Sequence, residues 1–486
     1  VKLDQYNARV RVTGSEEEHA WLFEYLAFRD KTRDYLARTR QWMDPFVRMY
    51  NTRSATFPAG LLGLVLKAAP EAGLPVEHMD HRKVPTTLTL DHAGLMSLGL
   101  RDYQADALLA VGAHGRGIVK IATAGGKGSI AASFPVAFPC RWLFLVHRAQ
   151  IARDIGARYA AITKLQPGYI LEGGVELGDG EFVVATYQTL RKRIAEPVVA
   201  NWLETIGGVV YDEAHVVGAE TFAHVAGQLH APYFRVGMSG TPLQRGDGRS
   251  ALVLAHTGPV IYEASAADLV AEGWVSPVRV HAYHYHHPTG YDRRTWSGVY
   301  SEAVARNKAR VLEVAAVVKV VPKPALVFVT ALAHGKALVK AMERQGMKAQ
   351  LASGSVSIDR RNTMNRDLVA GRLDVVVATK VYEEGIDIPS LASVVHAGGG
   401  KSEIGTLQRI GRGMRLSEGK THVEVVDILD EECPVCATIK QSMWHLSCRW
   451  LHRHSGARLA AYRREKHTVV EVSNVTELVT SLGGAP

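Results

Sequence analysis

Cysteine is scarce in this chain, at four of 486 residues. Without a visible secretion signal, that number gives no disulfide framework, and a reducing interior is the expected setting. Long apolar runs are missing too. None reaches the ~20 residues that a membrane span needs, so no membrane partner is expected. Residues 1–13 are polar and alternating; no signal peptide is expected, and the chain reads as cytoplasmic. Nor is charge extreme. A formal net charge of +9 is a moderate excess that points to a polyanionic partner. An apolar fraction of 47% argues against disorder, and 486 residues suffice for two to four domains.

What is present centres on Gly207-Gly-Val-Val-Tyr-Asp212-Glu213-Ala-His215. Small and apolar residues run into two adjacent carboxylates. A buried parallel strand reads this way, with its functional groups at the carboxyl end. In an extended chain Asp212 and Glu213 point to opposite sides, so they can take different roles. One can hold magnesium while the other aligns a water for attack on a phosphate. The competing reading is a solvated acid pair after a core strand.

A second constellation lies upstream. Gly117–Ala122 reads as a strand, Thr123-Ala124-Gly125-Gly126-Lys127-Gly128-Ser129 as a turn, and Ile130 onward as a helix until Pro135. That layout makes a phosphate cradle. Glycines let backbone N–H groups approach phosphate, the helix N-terminus adds a positive dipole, and Lys127 reaches the terminal phosphates. Two positions depart from the usual loop. Ala124 replaces a Gly, and Gly128 stands where a magnesium-binding Ser or Thr belongs. Either Ser129, one residue late, supplies the hydroxyl through a shifted turn, or magnesium is held only through water and Asp212.

Residues 1–85 read as a small α/β domain. Arg9-Val-Arg-Val alternates as a strand does, while Glu17–Phe28 and Leu61–Ala69 carry apolar residues at helical spacing. Arg29, Lys31, Arg33, Arg38 and Arg40 interleave with Tyr35 and Trp42, which suits contact with a phosphate backbone. An ordinary solvated basic face has the same composition. Buried-strand runs then recur in two series, one in residues 86–277 and one in 324–430. The first holds Trp142–His147, Phe182–Tyr187, Gly207–Asp212 and Phe234–Thr241. The second holds Ala325–Thr330, Lys348–Gly354, Asp374–Thr379, Ser393–Gly398 and Val423–Ile428. Two such series predict two parallel-sheet domains with chemistry at the carboxyl ends of the strands.

Residues 278–323 read as a linker or the start of the second lobe. Their histidines, His281, His284, His286 and His287, are expected to be satisfied or solvated, with no acidic or cysteine partner nearby. Residues 431–486 read as a C-terminal helical extension with a frayed tail after Ser473. Cys433, Cys436 and Cys448, with His445, His452 and His454, match no standard zinc spacing. Buried thiols are expected there rather than zinc.

Taken in order across residues 98–415, these stretches resemble the motifs of the superfamily 2 helicases. Leu100-Arg101-Asp-Tyr-Gln104 looks like the adenine-reading motif, and Lys127 sits in the first ATPase motif. Leu145-Val-His147-Arg148 and Thr186-Tyr-Gln188-Thr-Leu190 resemble strand-binding motifs. Asp212-Glu-Ala-His215 looks like the second ATPase motif, and Ser239-Gly-Thr241-Pro like the coupling motif. Ala378-Thr379 and Glu384-Gly385-Ile-Asp387-Ile-Pro look like the fifth motif, and Gln408-Arg-Ile-Gly-Arg412-Gly-Met-Arg415 like the sixth.

The resemblance implies two tandem RecA-like parallel-sheet domains of α/β class, preceded by a small N-terminal α/β DNA-binding domain. It implies ATP and Mg2+ as cofactors. ATP would be held by Arg101, Gln104, Thr123, Gly125, Gly126, Lys127, Gly128, Ser129, Gly385 and Asp387, with magnesium on Asp212. Catalysis would fall to Lys127, Asp212, Glu213, Gln408, Arg412 and Arg415, the last three on one helix face. Nucleic acid would meet His147, Arg148, Thr186, Gln188, Thr379, Arg38, Arg40 and Arg48, and coupling would use Ser239, Thr241 and His215.

The opening segment narrows the family. Trp42-Met-Asp44-Pro-Phe-Val-Arg48-Met-Tyr50-Asn51 and Pro58-Ala-Gly60-Leu-Leu-Gly63 look like the N-terminal domain of phage UvsW-type helicases. That implies a duplex-binding module in an ATP-dependent helicase or translocase. It would unwind or branch-migrate DNA in recombination, repair or replication inside a bacterial host cell. Duplex, forked or branched DNA would be its partner, with single-strand-binding or recombination proteins alongside. Two other readings stay open. One is a DNA-remodelling protein whose ATPase is weakened by Ala124 and Gly128. The other is the motor subunit of a restriction or defence complex, which needs a separate nuclease.

Overall fold

The structure is a computed structural model. It describes the chain except residues 31–32, 35–36, 38–43, 214–218, 241–248, 289–290, 292–294, 380–387, 401–404, 406–409, 412, 435–445 and 485–486. The chain divides into two compact units. One comprises Val1–Ile121 and Gly126–Ala264, the other Ala122–Gly125 and Ser265–Pro486.

Alternation builds the opening sheet of the first unit. Arg9–Thr13 buries every second residue, and Val10 and Val12 face a core with Leu3, Leu22, Phe57 and Val65. Lys2–Gln5 pairs antiparallel with Arg9–Thr13 and parallel with Glu77–Asp80, and Thr56–Pro58 closes the other edge. Ser15 starts the helix Glu16–Tyr25 through a reciprocal capping box with Glu18. The helix stops before Phe28, which lies in the short strand Ala27–Arg29 instead. This small sheet docks on the larger part of the same unit. Asn7 Nδ2 donates to Ala231 O at 2.7 Å, and Arg116 Nη2 to Asn7 O at 3.1 Å. A Cβ on Gly60 would lie 2.3 Å from Leu254 O, so only glycine permits that approach.

The larger sheet of the first unit has eight strands. Their order is Gly174–Glu176, Gly168–Leu171, Phe182–Thr186, Trp142–Val146, Gly208–Asp212, Phe234–Ser239, Arg116–Ile121, Val260–Ala264. Every pairing is parallel except the first. The four inner strands from Phe182–Thr186 to Phe234–Ser239 are buried at every position, as expected for strands covered by helices on both faces.

The second unit holds a fully parallel seven-stranded sheet. Its order is Ala349–Ala352, Val375–Ala378, Ala325–Phe328, Ser393–His396, Val423–Glu431, Val278–His286, Thr468–Val472. Val278–His286, in the stretch read as a linker or the start of the second lobe, is a nine-residue strand inside this sheet. The expected helical extension needs correction. After the helix Leu446–Arg464, the chain adds the edge strand Thr468–Val472. It then forms the helix Val475–Ser481, whose Leu478 is fully buried, so that stretch of the tail is helical rather than frayed. Among the described residues no helix is long and apolar enough to cross a membrane.

Candidate nucleotide site

The carboxyl edge of the eight-stranded sheet gathers the expected residues of the first unit. Strand order fixes their layout. Asp212 ends one strand, Ser239 ends its neighbour, and Arg116–Ile121, which leads into the glycine turn, lies next. Thr186 and His147 end or follow the two strands on the other side. Phosphate-type residues therefore stand to one side of Asp212 and strand-binding candidates to the other.

Ala124 and Gly126 both adopt φ of 73°. Ala124 takes the left-handed conformation that a glycine would hold more cheaply. Gly126 leads directly into the helix Lys127–Ala137, so the helix starts earlier than Ile130 and runs through Pro135. Its first N–H groups face the turn, where a helix N-terminus favours anions. A Cβ on Gly126 would lie 2.5 Å from Gln104 Nε2. Gln104 is itself buried. Its Oε1 accepts from Arg101 N at 3.0 Å, and Nε2 lies 3.5 Å from Gly126 O. Arg101 Nη1 donates to Tyr103 Oη at 3.2 Å, so the Arg101–Gln104 segment braces the turn.

Lys127 Nζ forms an ion pair with Glu213 Oε1, and Ser239 Oγ donates to Glu213 Oε2 at 3.2 Å. Asp212 and Glu213 are 7% and 9% exposed, which rejects the solvated-loop reading of this acid pair. Their separation has a different cause from the one expected. The strand ends at Asp212, and Glu213 turns off it with φ of 43°. Such a conformation costs about 1–3 kcal/mol and persists only where its surroundings enforce it. Here Glu213 N donates to Met238 O at 2.9 Å, and Lys127 and Ser239 hold the carboxylate. Two residues that sequence reasoning passed over support the site. Tyr187 Oη donates to Asp212 O at 3.3 Å, and burial beside Asp212 pushes that phenol well above its ordinary pKa. Arg158 Nη1 lies 3.5 Å from Ser129 Oγ. Tyr187 sits between the two named residues of a strand-binding motif, so position alone could have flagged it.

Other expected residues fare variously. Thr186 is buried and caps its own helix, accepting from Thr189 N at 3.3 Å, whereas Gln188 and Arg148 are exposed. Thr379 follows the strand Val375–Ala378 of the second sheet, at its carboxyl end. Arg48 is engaged within the opening domain. Its guanidinium pairs with Glu24 at 3.0 Å and Asp44 at 3.1 Å, and stacks 4.2 Å from the Phe23 ring. Arg38, Arg40, His215, Thr241, Gly385, Asp387, Gln408 and Arg412 lie outside the described residues, as do Cys436 and the side chain of Cys448. Cys433 is fully buried beside Tyr291, Tyr300 and Leu451.

The expectation that the histidines lack acidic partners is overturned. The parallel strand Val423–Glu431 supplies them. His281 Nε2 meets Glu424 at 2.7 Å, His284 Nδ1 meets Glu431 at 2.6 Å, and His287 Nε2 meets Asp430 at 3.1 Å. A second glutamate, Glu471, takes His284 Nε2 at 2.6 Å. Two buried ion pairs were also unforeseen. Arg310 Nε reaches Asp430 at 2.8 Å and its Nη1 reaches Ala397 O at 2.9 Å. Arg458 forks onto Asp427 and donates to Gly400 O at 2.6 Å. Burial alone would raise Asp430, but Arg310 and His287 hold it below the ordinary carboxylate value.

Comparison with known proteins adds two family matches. Residues 97–244 match the family described as type III restriction enzyme, res subunit, and residues 308–417 match the helicase conserved C-terminal domain. The ATP-dependent DNA helicase uvsW of Enterobacteria phage T4 is 27% identical over 302 residues, 60% of this chain and 58% of that protein. The chain thus spans little more than half the length of that relative. The DNA 3'-5' translocase XPB2 of Sulfurisphaera tokodaii is 24% identical over 358 residues, 66% of this chain and 79% of that one. Among solved structures, the ATP-dependent Type ISP restriction-modification enzyme LlaBIII bound to DNA shares the fold. Its TM-score is 0.56 at 16% identity, covering 79% of this chain and 32% of that one. With one family match on each motif-bearing sheet, the chain belongs to the superfamily 2 helicases.

Proposed function

We propose that this chain is an ATP-hydrolysing DNA helicase or translocase that unwinds or branch-migrates forked and branched DNA in recombination, repair or replication. The observation that carries the reading is the meeting of Lys127, Glu213 and Ser239 beside Asp212, next to a glycine turn that opens a helix. An ammonium group at a helix N-terminus suits a polyphosphate. The nearly buried Asp212 carboxylate supplies the hard oxygen that magnesium prefers.

Each group then has a task. A triphosphate in the turn takes the Lys127 ammonium from Glu213. The freed Glu213 carboxylate, still fixed by Ser239, orients the attacking water. Asp212, with Ser129 if the turn shifts, would hold magnesium, which would supply charge neutralisation at the phosphates. Gln408, Arg412 and Arg415 are assigned to charge on the transferring phosphoryl group. His147, Arg148, Thr186, Gln188 and Thr379 are assigned to the sugar-phosphate track, Ser239, Thr241 and His215 to coupling. DNA as the polymer is supported by the likeness to uvsW, which is a DNA helicase by name, and by the opening domain.

The test is ATP turnover with no DNA and with single-stranded, duplex, forked and four-way DNA. Stimulation greatest on forked or four-way DNA is expected. Background turnover with every DNA would refute the reading. The match to the restriction res-subunit family favours one other function, the motor of a restriction complex. Co-purification of a nuclease subunit, with stimulation by linear duplex alone, would select it.

A further inference from the structure

A lysine in a surface turn after a glycine is ordinarily solvated. Lys420 is not. It ends the turn Ser417–Lys420, where its N–H donates to Ser417 O at 3.1 Å, and its side chain folds back beneath the turn. There Nζ donates to Pro389 O at 2.9 Å, to Arg415 O at 3.1 Å and to Gly413 O. Lys420 makes no ion pair among the described residues, so three backbone carbonyls are its partners. Pro389 lies two residues beyond Asp387. Gly413 and Arg415 end the segment that carries Gln408, Arg412 and Arg415. Gly413 is the last helical residue there among the described residues, and a terminal helix carbonyl has no partner within its helix and lies at the negative end of its dipole, so a cation is the fitting donor. Ser276 completes the clamp, its N–H donating to Met414 O at 2.7 Å and its hydroxyl to Arg415 O at 3.3 Å.

We propose that Lys420 is a positioning residue for nucleotide hydrolysis, fixing Pro389 against Gly413 and Arg415. The inference rests on the ATPase reading above. Its signature is kinetic. Arginines that act on developing charge matter more in the transition state than in the ground state, so displacing them lowers kcat and leaves KM nearly unchanged.

Titration gives a second handle. Burial pushes Lys420 down to about 8. Among the described residues, the charged and titratable groups around it are Glu418 on its own turn, Arg415 whose carbonyl it bonds, His422 and Glu424 on the chain that follows, and Arg279 and His281 on the neighbouring strand. A neutral amine has two hydrogens for three carbonyls. Lys323, pushed by burial to about 8 as well, bonds the Val318 and Val321 carbonyls and stays intact in every variant.

The experiment measures ATP turnover at saturating DNA from about pH 7 to about pH 9.5, alongside thermal melts, for wild type, Lys127→Ala, Lys420→Met and Lys420→Arg. Lys420→Met is expected to lower kcat about tenfold or more while KM for ATP stays within about threefold. Lys420→Arg is expected to restore most of kcat and to keep it level where wild type declines above about pH 8. Wild-type kcat in Lys420→Met at neutral pH would overturn the proposal, as would a Lys420→Arg profile that declines in step with wild type. Should Lys420→Met fail to fold, the wild-type and Lys420→Arg profiles decide by themselves. A wild type no faster than Lys127→Ala removes the ATPase reading and the clamp with it. Turnover that needs Lys127 but ignores Lys420 removes the clamp alone.

Discussion

Replacing Arg458 by Met tests how the second sheet is held to the helix Leu446–Arg464. Arg458 and Asp427 are 2% and 0% exposed at their side chains. Arg458 Nε and Nη2 reach both Asp427 oxygens at 2.8–3.1 Å, Nη1 reaches Gly400 O at 2.6 Å, and Nη2 also reaches Ile428 O at 3.0 Å. Methionine matches much of the alkyl length but supplies none of these donors. Asp427 would keep only Tyr462 Oη at 2.7 Å and the His396 ring, 3.9 Å away, near its charge. Removing one member of a buried pair costs about 3–5 kcal/mol, because the other charge is left uncompensated. At about 2–4 °C per kcal/mol for a domain of this size, the unfolding transition of the second unit should drop by roughly 6–20 °C. Scanning calorimetry with far-UV circular dichroism reads this directly. Adding Asp427→Asn to Arg458→Met removes the stranded charge and should recover a good part of the loss. A drop below about 2 °C in the single variant would refute the argument, since only an exposed pair is worth so little.

Three further outcomes follow from particular contacts. Burial lowers the His284 pKa, but bonds to Glu431 and Glu471 outweigh it and leave it raised. Its contribution is therefore fully present below about pH 6.5 and lost as pH rises through the folded value. The melting difference between wild type and His284→Gln should be largest near pH 5.5 and shrink towards about pH 9, and a difference constant across that range would contradict the assignment. Gly126→Ala places a methyl group against Gln104 at a φ of 73°, so titration with a fluorescent ATP analogue should show affinity reduced about tenfold or more. In Gly128→Thr the new Cβ meets Arg158 no closer than 3.5 Å, an ordinary contact. The added hydroxyl should lower the magnesium concentration needed for half-maximal ATP turnover, and an unchanged value would mean that Asp212 and water suffice.

The parts of this protein visible in its sequence are those governed by local rules. Fully buried strands such as Phe182–Thr186 and Gly208–Asp212 announce themselves as apolar runs, and a glycine turn between strand and helix announces a phosphate cradle. What stayed hidden depends on partners far along the chain. His281, His284 and His287 looked unpartnered because their carboxylates lie more than 140 residues away, on a strand that becomes a neighbour only in the folded sheet. Strand Val278–His286 was masked by that same histidine and tyrosine content, which reads as polar although most of its positions are buried. Glu213 was misjudged for a local reason: alternation holds only while the strand continues, and it ends at Asp212. No pattern rule foretells that Arg458 or Arg310 will be buried, because a charged side chain enters a core only once its partner is in place.

The most direct test of the central claim is a comparison of ATP binding with single-turnover hydrolysis in Glu213→Gln and Lys127→Ala. If Glu213 orients the attacking water and Lys127 holds the phosphates, Glu213→Gln should bind ATP with affinity within about threefold of wild type while its cleavage rate falls about 100-fold or more, and Lys127→Ala should lose affinity as well. Cleavage by Glu213→Gln at the wild-type rate would contradict the account.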